Sequence, residues 1–344
     1  MVRLTVQRAA WLQHVHATAD AYGPALVPVV KGNGYGVGRP VLHDLVAAGL
    51  GTGSVAGQPT GDARRWVCVG SVSELVDVPV GLDPLVLTPA LAPPPPASDD
   101  RPDPVLTVGS VHHVEALRGW RGRVMVKLLS SMHRFGASTD ELEPLLRAVG
   151  LAGLDVVGFA LHLPLSGDDR SRLDEAAQWC RWLDALPAPL GHRELWLSHL
   201  SPAAVTALAA RHDDRTVRVR VGTALWHGVP RGDFVRLGAA VLQTRRVRAG
   251  DSLGYRDAVA PCDGTVVVIG AGSSHGVHPL DHADPSRRSP FHFARRRLHL
   301  VERPHMHVSL CVVPDGEPCP TVGDVVDVQQ PLIDVRCDEI DWQP

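Results

Sequence analysis

The chain has 344 residues, 44% of them hydrophobic, and a formal net charge of −3 at pH 7. This length and composition are typical of a globular protein with one large domain and a smaller one. The sequence contains no long apolar run, secretory signal or whole-chain basic excess, which argues against a membrane span, secretion and a nucleic-acid partner. We therefore expect a cytoplasmic protein.

The six cysteines are scattered along the chain and form no C-x-x-C pair. Their spacing argues against both a zinc knuckle and a disulfide framework. We expect reduced thiols at positions 68, 180, 262, 311, 319 and 337.

A short strand at 4–6 and a helix that begins at Arg8 are predicted ahead of the most distinctive stretch, residues 27–38. This stretch is Val-Pro-Val-Val-Lys-Gly-Asn-Gly-Tyr-Gly-Val-Gly. Its apolar run predicts a buried strand that ends at Lys31, and its four glycines allow the backbone to approach a ligand closely.

Lysine is scarce in this sequence, which contains only Lys31 and Lys127 against 32 arginines. An amine that must lose its proton to attack a carbonyl cannot be replaced by a guanidinium, which stays charged. Both lysines are therefore candidate functional residues. The alternative explanation is that a GC-rich genome makes lysine scarce, and that these two lysines simply remain without a functional role.

Apolar runs alternate with helical patterns over the first 230 residues or so. Strands are predicted at 27–31, 66–70, 85–88, 105–108, 123–127, 156–161, 194–198 and 216–221. Helices are predicted at 40–48, 110–118, 139–149, 171–186 and 202–210. Eight such repeats favour a parallel (β/α)8 TIM barrel, and an open doubly wound sheet is the alternative.

Two stretches interrupt this alternation. Residues 51–62 are rich in glycine and are expected to shorten one helix-to-strand passage. Residues 89–104 contain four consecutive prolines, which exclude a helix or an inner strand and predict a surface loop.

After Gly238 the pattern changes to short β-branched runs that are separated by turns, which predicts an all-β C-terminal domain. These runs lie at 241–247, 265–269, 308–313 and 325–328. We expect a barrel domain over 1–236, whose first strand joins the β domain, and a β domain over 237–344. Residues 276–305 are rich in His, Arg and Pro without periodicity, and we interpret them as an inserted or lengthened loop.

Six ordered motifs resemble those of the alanine racemases, which are fold-type III pyridoxal-phosphate enzymes. The motifs begin with Val-Val-Lys31-Gly-Asn-Gly-Tyr35 and cover nearly the whole chain. The others are Met125-Val-Lys-Leu-Leu-Ser-Ser-Met-His-Arg134-Phe-Gly, Phe159-Ala-Leu-His162, Ser198-His-Leu-Ser201, Arg220-Val-Gly222-Thr223 and Gly250-Asp-Ser-Leu-Gly-Tyr255.

This resemblance implies a racemase that uses two bases. Lys31 would carry pyridoxal phosphate covalently and act on one face of the substrate α-carbon, and Tyr255 of the partner subunit would act on the other. A homodimer with shared active sites is therefore implied. Arg134 and Met306 are implied substrate contacts, and Arg134 is also expected to favour the Tyr255 phenolate. The product would be a D-amino acid of the kind that enters peptidoglycan precursors.

The resemblance also implies the cofactor contacts. Arg220 would face the pyridine nitrogen, and His162 would lie against the ring. Lys127 matches a lysine that the family often carbamylates. The implied phosphate ligands are Tyr35, Ser201, Gly222 and Thr223.

The sequence departs from the family where the substrate would enter. Ala271 replaces a gate tyrosine, and His305 and His307 flank Met306 where the family has Cys-Met-Asp. We therefore expect alanine or a larger amino acid as substrate. The arginines 287, 288, 295, 296 and 297 most simply belong to a solvated loop; the alternative is that they meet an anionic extension of the substrate. We expect no metal among the histidines of this region.

Two alternative functions remain. One is a catalytically altered relative that binds the cofactor and has a binding or regulatory role. The other is a basic-amino-acid decarboxylase, although the cysteine-centred motif of that family is not found in the β region.

Overall fold

The computed structural model describes residues 1–50, 65–96, 103–187, 193–280 and 288–344. It divides the chain into two compact units. The larger, or barrel unit, comprises residues 14–32 and 39–226. The smaller, or β unit, comprises residues 1–13, 33–38 and 227–344.

Helices and strands have the following bounds in the described part of the chain. The helices are Arg8–Tyr22 (α1), Arg39–Ala47 (α2), Val111–Ala116 (α3), Thr139–Leu151 (α4), Asp169–Asp184 (α5), Pro202–Arg211 (α6) and Thr223–Trp226 (α7). The first nine strands are Val2–Gln7 (β1), Leu26–Pro28 (β2), Trp66–Val69 (β3), Asp83–Val86 (β4), Val105–Val108 (β5), Arg123–Leu128 (β6), Asp155–Leu161 (β7), Glu194–Ser198 (β8) and Val217–Val221 (β9). The remaining strands are Val235–Val247 (β10), Ser252–Leu253 (β11), Ala258–Val259 (β12), Gly264–Ile269 (β13), Phe291–Phe293 (β14), Arg296–Arg297 (β15), His299–Leu300 (β16), Ser309–Pro314 (β17), Val325–Val328 (β18) and Glu339–Gln343 (β19).

The barrel unit is built on a parallel sheet with the order β2-β9-β8-β7-β6-β5-β4-β3. The first and last strands of this sheet, β2 and β3, meet because Val29 forms a parallel β-bridge with Cys68. The Cys68 carbonyl accepts the Val30 N–H at 2.7 Å. The predicted (β/α)8 barrel is therefore confirmed, and the open doubly wound sheet is wrong. All residues of β3 and β5 are buried, as expected for parallel strands that are covered on both faces.

Local sequence signals explain where the barrel helices begin. Asp168 caps α5 by accepting the Ser171 N–H at 2.9 Å, and Ser201 caps α6 by accepting the Ala204 N–H at 3.3 Å. The proline-rich passage between β4 and β5 has no helix or strand at 87–96 or 103–104, which confirms the loop prediction for these residues. Residues 97–102 and the glycine-rich stretch 51–62 lie outside the described residues.

The β unit is a nine-stranded sheet whose main path runs β15-β14-β18-β10-β13-β17-β16. Strand β1 pairs antiparallel with β10 and parallel with β19. The predicted C-terminal β domain is confirmed. One prediction is wrong, because residues 276–305 are not a loop throughout: strands β14, β15 and β16 lie within them and pair with this sheet.

Candidate active site

Lys31 follows β2 at the carboxyl end of the barrel strands, the edge where active sites of this fold occur. Glu74 organises the surrounding turns, because its carboxylate accepts the Gly32 N–H at 3.0 Å and the Gly70 N–H at 2.7 Å. A Cβ on Gly70 would lie 3.3 Å from the Lys31 Cβ. Glycine at position 70 therefore leaves room for the lysine stem.

The Lys31 amine is easier to deprotonate than an ordinary lysine. The side chain reaches solvent, and its pKa is lowered by desolvation where it packs against the protein and then by the charge of Arg134. The Glu74 carboxylate opposes part of this effect. An amine of this kind is a suitable nucleophile for a carbonyl.

Arg220 provides a fixed, buried cation at the end of β9. Its Nε donates to the Leu197 carbonyl at 3.1 Å, and its Nη2 donates to the Leu161 carbonyl at 2.7 Å. Burial lowers its pKa to about 10, so it still carries its charge at neutral pH. Bonds to two neighbouring strands hold the guanidinium in one orientation.

His162 lies beside Arg220 at the end of β7. Its Nδ1 is 2.9 Å from the Ser198 hydroxyl, and its ring meets the His199 ring edge-on at 4.7 Å. Burial, followed by the Arg220 charge, lowers the pKa of His162 to about 2. The imidazole is therefore neutral, which suits a ring that packs against another ring.

Lys127 is the second lysine of the chain and is only 3% exposed on β6. Burial, followed by the charges of Arg220 and Arg134, lowers its pKa well below the ordinary value. Its Nζ has no hydrogen-bond partner among the described residues. Arg134 itself is exposed, and its guanidinium lies 4.5 Å from the centre of the Phe135 ring.

The residues predicted to bind phosphate fall into two groups. Ser201 begins α6, and Gly222 and Thr223 form the first turn of α7 in the barrel unit. Tyr35 belongs to the β unit, where it is buried and its ring meets the His227 ring edge-on at 5.7 Å. The His227 Nε2 also lies 2.6 Å from the Tyr35 carbonyl oxygen.

Tyr255 and Met306 belong to the β unit and are 85% and 68% exposed. Ala271, the residue that replaces a gate tyrosine, is fully buried, and its carbonyl accepts the Ser309 hydroxyl at 2.7 Å. Its methyl group therefore packs inside this unit. The entrance effect that we expected from Ala271 stays a prediction.

The arginines of the 276–305 segment have different environments. Arg296 pairs with Glu317 at 3.2 Å, Arg297 donates to Ser289 and Gln329, and Arg288 is exposed. Arg295 lines a cleft of about 480 Å³ in the β unit. Arg287 lies outside the described residues.

The described residues contain no cluster of three or more His, Cys, Asp or Glu side chains that could hold a metal ion. None of their helices is long and apolar enough to cross a bilayer.

Sequence reasoning missed Glu74, Ser198 and His199 as site residues. The only local sign of Glu74 was the Ser71-x-x-Glu74 pattern, which is typical of a helix start and does not indicate contacts to Gly32. Ser198 and His199 lay within a quoted motif, but only the pairing of β7 with β8 brings them to His162.

Comparison with known proteins identifies the family. The family model for the alanine racemase N-terminal domain matches residues 6–230. A search of curated proteins gives no significant match.

Solved structures of alanine racemases resemble the whole chain. The Bartonella henselae alanine racemase with covalently bound pyridoxal phosphate has a TM-score of 0.67 and 20% identity, and covers 96% of this chain and 91% of its own. The Bacillus anthracis enzyme with bound L-Ala-P has a TM-score of 0.66 and 18% identity, and the match covers 95% of this chain and 85% of that enzyme. The Pseudomonas aeruginosa biosynthetic enzyme has a TM-score of 0.64 and 19% identity, covering 100% and 99%. The family match spans more than half of the chain, and the chain therefore belongs to the alanine racemase family.

Proposed function

We propose that this protein is a pyridoxal-phosphate-dependent amino-acid racemase that works as a homodimer in the cytoplasm. The observation that carries the proposal is the presence of two groups at the paired strands β2 and β9, where the charge of Arg220 acts on the Lys31 amine. Lys31 offers an amine of lowered pKa, and Arg220 offers a buried cation that is held by two carbonyls. An aldehyde cofactor requires a nucleophilic amine for covalent attachment, which Lys31 offers. A ring nitrogen that accepts a hydrogen bond requires a fixed donor, which Arg220 offers.

The residues present fit this cofactor. An amine with a lowered pKa suits covalent attachment to an aldehyde, and the neutral His162 suits packing against an aromatic ring. The buried Nζ of Lys127 has no partner among the described residues, so this edge of the barrel still has an unused polar group. The residues that would hold the cofactor are Lys31, Tyr35, His162, Ser201, Arg220, Gly222 and Thr223.

When bound, pyridoxal phosphate supplies an electron sink that stabilises negative charge at the α-carbon of an amino acid. Arg220 would keep its own protons, because a guanidinium remains charged at neutral pH, and would orient the ring by a donated hydrogen bond. His162 would support one face of the ring. Ser198 holds His162 in place for that role.

Racemisation requires a proton to leave one face of the α-carbon and a proton to arrive on the other. Lys31 Nζ would move the proton on one face, and the phenol oxygen of the partner's Tyr255 would move it on the other. The exposure of Tyr255 and Met306 supports this proposal, because both side chains are available to a second copy of the chain. Arg134 and Met306 would contact the substrate, an alanine or a larger amino acid.

Attachment of the cofactor can be tested directly. The purified protein should show a cofactor absorbance band that borohydride removes, and peptide mapping should then locate the cofactor mass. The two lysines make the result binary, since the mass must lie on Lys31 or Lys127. Attachment to Lys31, and its loss in Lys31→Ala, is the expected result; a protein that binds no cofactor would contradict the proposal.

The reaction can be tested with a panel of L-amino acids in deuterated water, followed by chiral analysis. The expected result is a D-product that carries deuterium at the α-carbon. Exchange of the α-hydrogen without inversion would contradict the two-base role of Tyr255.

A second candidate function is cofactor binding with a binding or regulatory role. It is favoured by His305 and His307, which stand where the family has a cysteine and an aspartate. Cofactor on Lys31 without α-hydrogen exchange for any amino acid would support this alternative.

A further inference from the structure

The phenol ring of Tyr255 lies against an imidazole that is itself held by a carboxylate. The Tyr255 and His305 ring centres are 4.3 Å apart, with 35° between the ring planes. The His305 Nε2 lies 2.5 Å from Glu302 Oε1. The same carboxylate oxygen accepts the Tyr255 backbone N–H at 3.0 Å. One carboxylate therefore contacts both the backbone of Tyr255 and the ring that packs on its side chain.

The two supporting side chains are only slightly exposed, whereas the phenol projects outward. The Glu302 and His305 side chains are 7% and 15% exposed, but Tyr255 is 85% exposed. Burial raises the pKa of Glu302, and hydrogen bonds from His305 and from the backbone of Tyr255 and Arg256 outweigh this and lower it overall. Glu302 is therefore an ionised acceptor within the protein surface.

The backbone on both sides of this contact is constrained. Gly254 has φ of +73°, and a Cβ at this position would collide with the Glu302 carboxylate. Glycine at position 254 is thus required for the carboxylate to reach the Tyr255 N–H. The His305 N–H donates to the Val308 carbonyl at 2.9 Å, and its carbonyl accepts the Ser273 N–H at 2.8 Å.

This arrangement has a clear physical consequence for the phenol. An exposed tyrosine on a turn can rotate about two side-chain bonds, and a reacting group must be held close to its productive geometry. A ring packed at 4.3 Å restricts those rotations, because moving the phenol would lose the stacking contact. The carboxylate fixes the backbone from which the side chain departs.

We propose that Glu302 and His305 are positioning residues that hold Tyr255 in its reactive orientation. This inference rests on the proposed racemase function. It also gives a role to His305, one of the residues at which this chain departs from the family motif. Neither residue needs to contact the substrate, since both act through Tyr255.

The first test measures the mobility of the Tyr255 ring and the solvent exchange of the Tyr255 amide in the whole 344-residue chain. The chain has three tyrosines, so ring-labelled tyrosine gives few NMR signals, and Tyr255→Phe assigns the relevant one. In His305→Gln the Tyr255 ring should become more mobile, and in Glu302→Ala the Tyr255 amide should exchange faster with solvent. His305→Phe, which keeps an aromatic ring, should restore ring order. His299→Gln, at an exposed position on β16, is the matched control.

The second test is kinetic. In His305→Gln, kcat should fall by about 10-fold to 100-fold with little change in KM, because positioning of a reacting group is lost while ground-state binding remains. If Glu302→Ala folds, its kcat should be lower than that of Glu302→Gln, which keeps an acceptor of the same shape. If it does not fold, the comparison of the wild type with His305→Gln and His305→Phe still tests the inference.

An unchanged Tyr255 ring signal in His305→Gln, or unchanged kcat with a disordered ring, would overturn the inference. These results are distinguishable from failure of the proposed function. If the wild-type chain racemises no amino acid, the proposed function fails, whereas the NMR and exchange measurements report separately whether Glu302 and His305 order Tyr255.

Discussion

The Glu74 carboxylate accepts the N–H of Gly32, the residue directly after Lys31, at 3.0 Å. Its second oxygen accepts the Gly70 N–H at 2.7 Å. One side chain from the turn after β3 thus holds two neighbouring strand ends of the barrel. The backbone from which the reactive lysine departs is consequently fixed by an acidic residue that is distant in sequence.

Glu74→Ala should therefore weaken both the fold and the attachment of the cofactor. Two backbone N–H groups lose their acceptor, so the free energy of unfolding should fall by about 1 to 3 kcal/mol. Glu74→Gln should recover much of the loss because its amide oxygen can still accept. Denaturant titration of both variants checks this, with Glu143→Ala at an exposed helix position as the control. Equal stability of Glu74→Ala and the wild type would contradict the role.

Lys127 should form a carbamate with dissolved carbon dioxide. Its buried amine has a pKa well below the ordinary value, and the uncharged amine is the form that adds to carbon dioxide with release of a proton. The resulting anion would lie near Arg220 and Arg134, the cations that lower the pKa of the amine. NMR with ¹³C-bicarbonate should show one protein-bound carbonyl signal that is absent in Lys127→Met.

If no such signal is found at pH 8, Lys127 remains a buried amine without a hydrogen-bond partner in the described part of the chain. Lys127→Met should then raise the free energy of unfolding by about 1 to 3 kcal/mol. Arg118→Met, at an exposed position, should change it by less than about 0.5 kcal/mol.

His162 should make the fold sensitive to acid. Its folded-state pKa of about 2 lies below the ordinary value of 6.5, so between these values the unfolded chain binds a proton that the folded chain does not. Stability due to this group is therefore fully present above pH 6.5 and falls as the pH falls. Between pH 7 and pH 4 the wild type should lose about 2 kcal/mol more than His162→Gln, a figure reduced for partial exposure.

Denaturant midpoints measured across this pH range test the His162 prediction. The comparison uses the slopes of the two curves, because the substitution can also change stability at neutral pH. Parallel curves for the wild type and His162→Gln would show that His162 is not held neutral.

Alanine substitutions at Gly136 and Gly150 should change the stability of the protein in opposite directions. Gly136 has φ of +137°, and a Cβ there would lie 2.5 Å from the Leu128 backbone. Gly136→Ala should therefore lower the free energy of unfolding by about 2 to 4 kcal/mol. Gly150 is in α4, where an added Cβ would meet open space. Gly150→Ala should therefore raise the free energy of unfolding by about 0.5 kcal/mol. Thermal unfolding of both variants checks the pair. A tolerated Gly136→Ala would mean that the backbone at Gly136 can shift away from Leu128.

Much of the barrel was predictable from the sequence because each strand is a short apolar run between helical patterns. The run 66–70 became β3 and the run 105–108 became β5, since parallel strands that are buried on both faces leave this signature. Strands β14 to β16 were missed. They contain only two or three residues each, and they form because β14 pairs with β18 and β16 pairs with β17, which no local pattern reveals.

The candidate site also contains residues that could be predicted from the sequence and residues that could not. Lys31, His162 and Arg220 could be named from motifs, because each motif carries the chemistry in its own residue types. Their electrostatics could not be predicted, since the lowered pKa of His162 depends on burial and on the charge of Arg220. Glu74 was missed for the same reason: its two backbone partners lie in separate turns.

The sequence by itself determined the barrel-plus-β plan, the family and the chemical types available at the site, because these follow from periodicity and from short motifs. Only the tertiary structure decided which carboxylates hold Gly32 and Tyr255, and which lysine is buried without a partner among the described residues. Those features arise from contacts between residues that are far apart in the chain, as Tyr255 and Glu302 are. Their distances and burial exist only once the strands have paired.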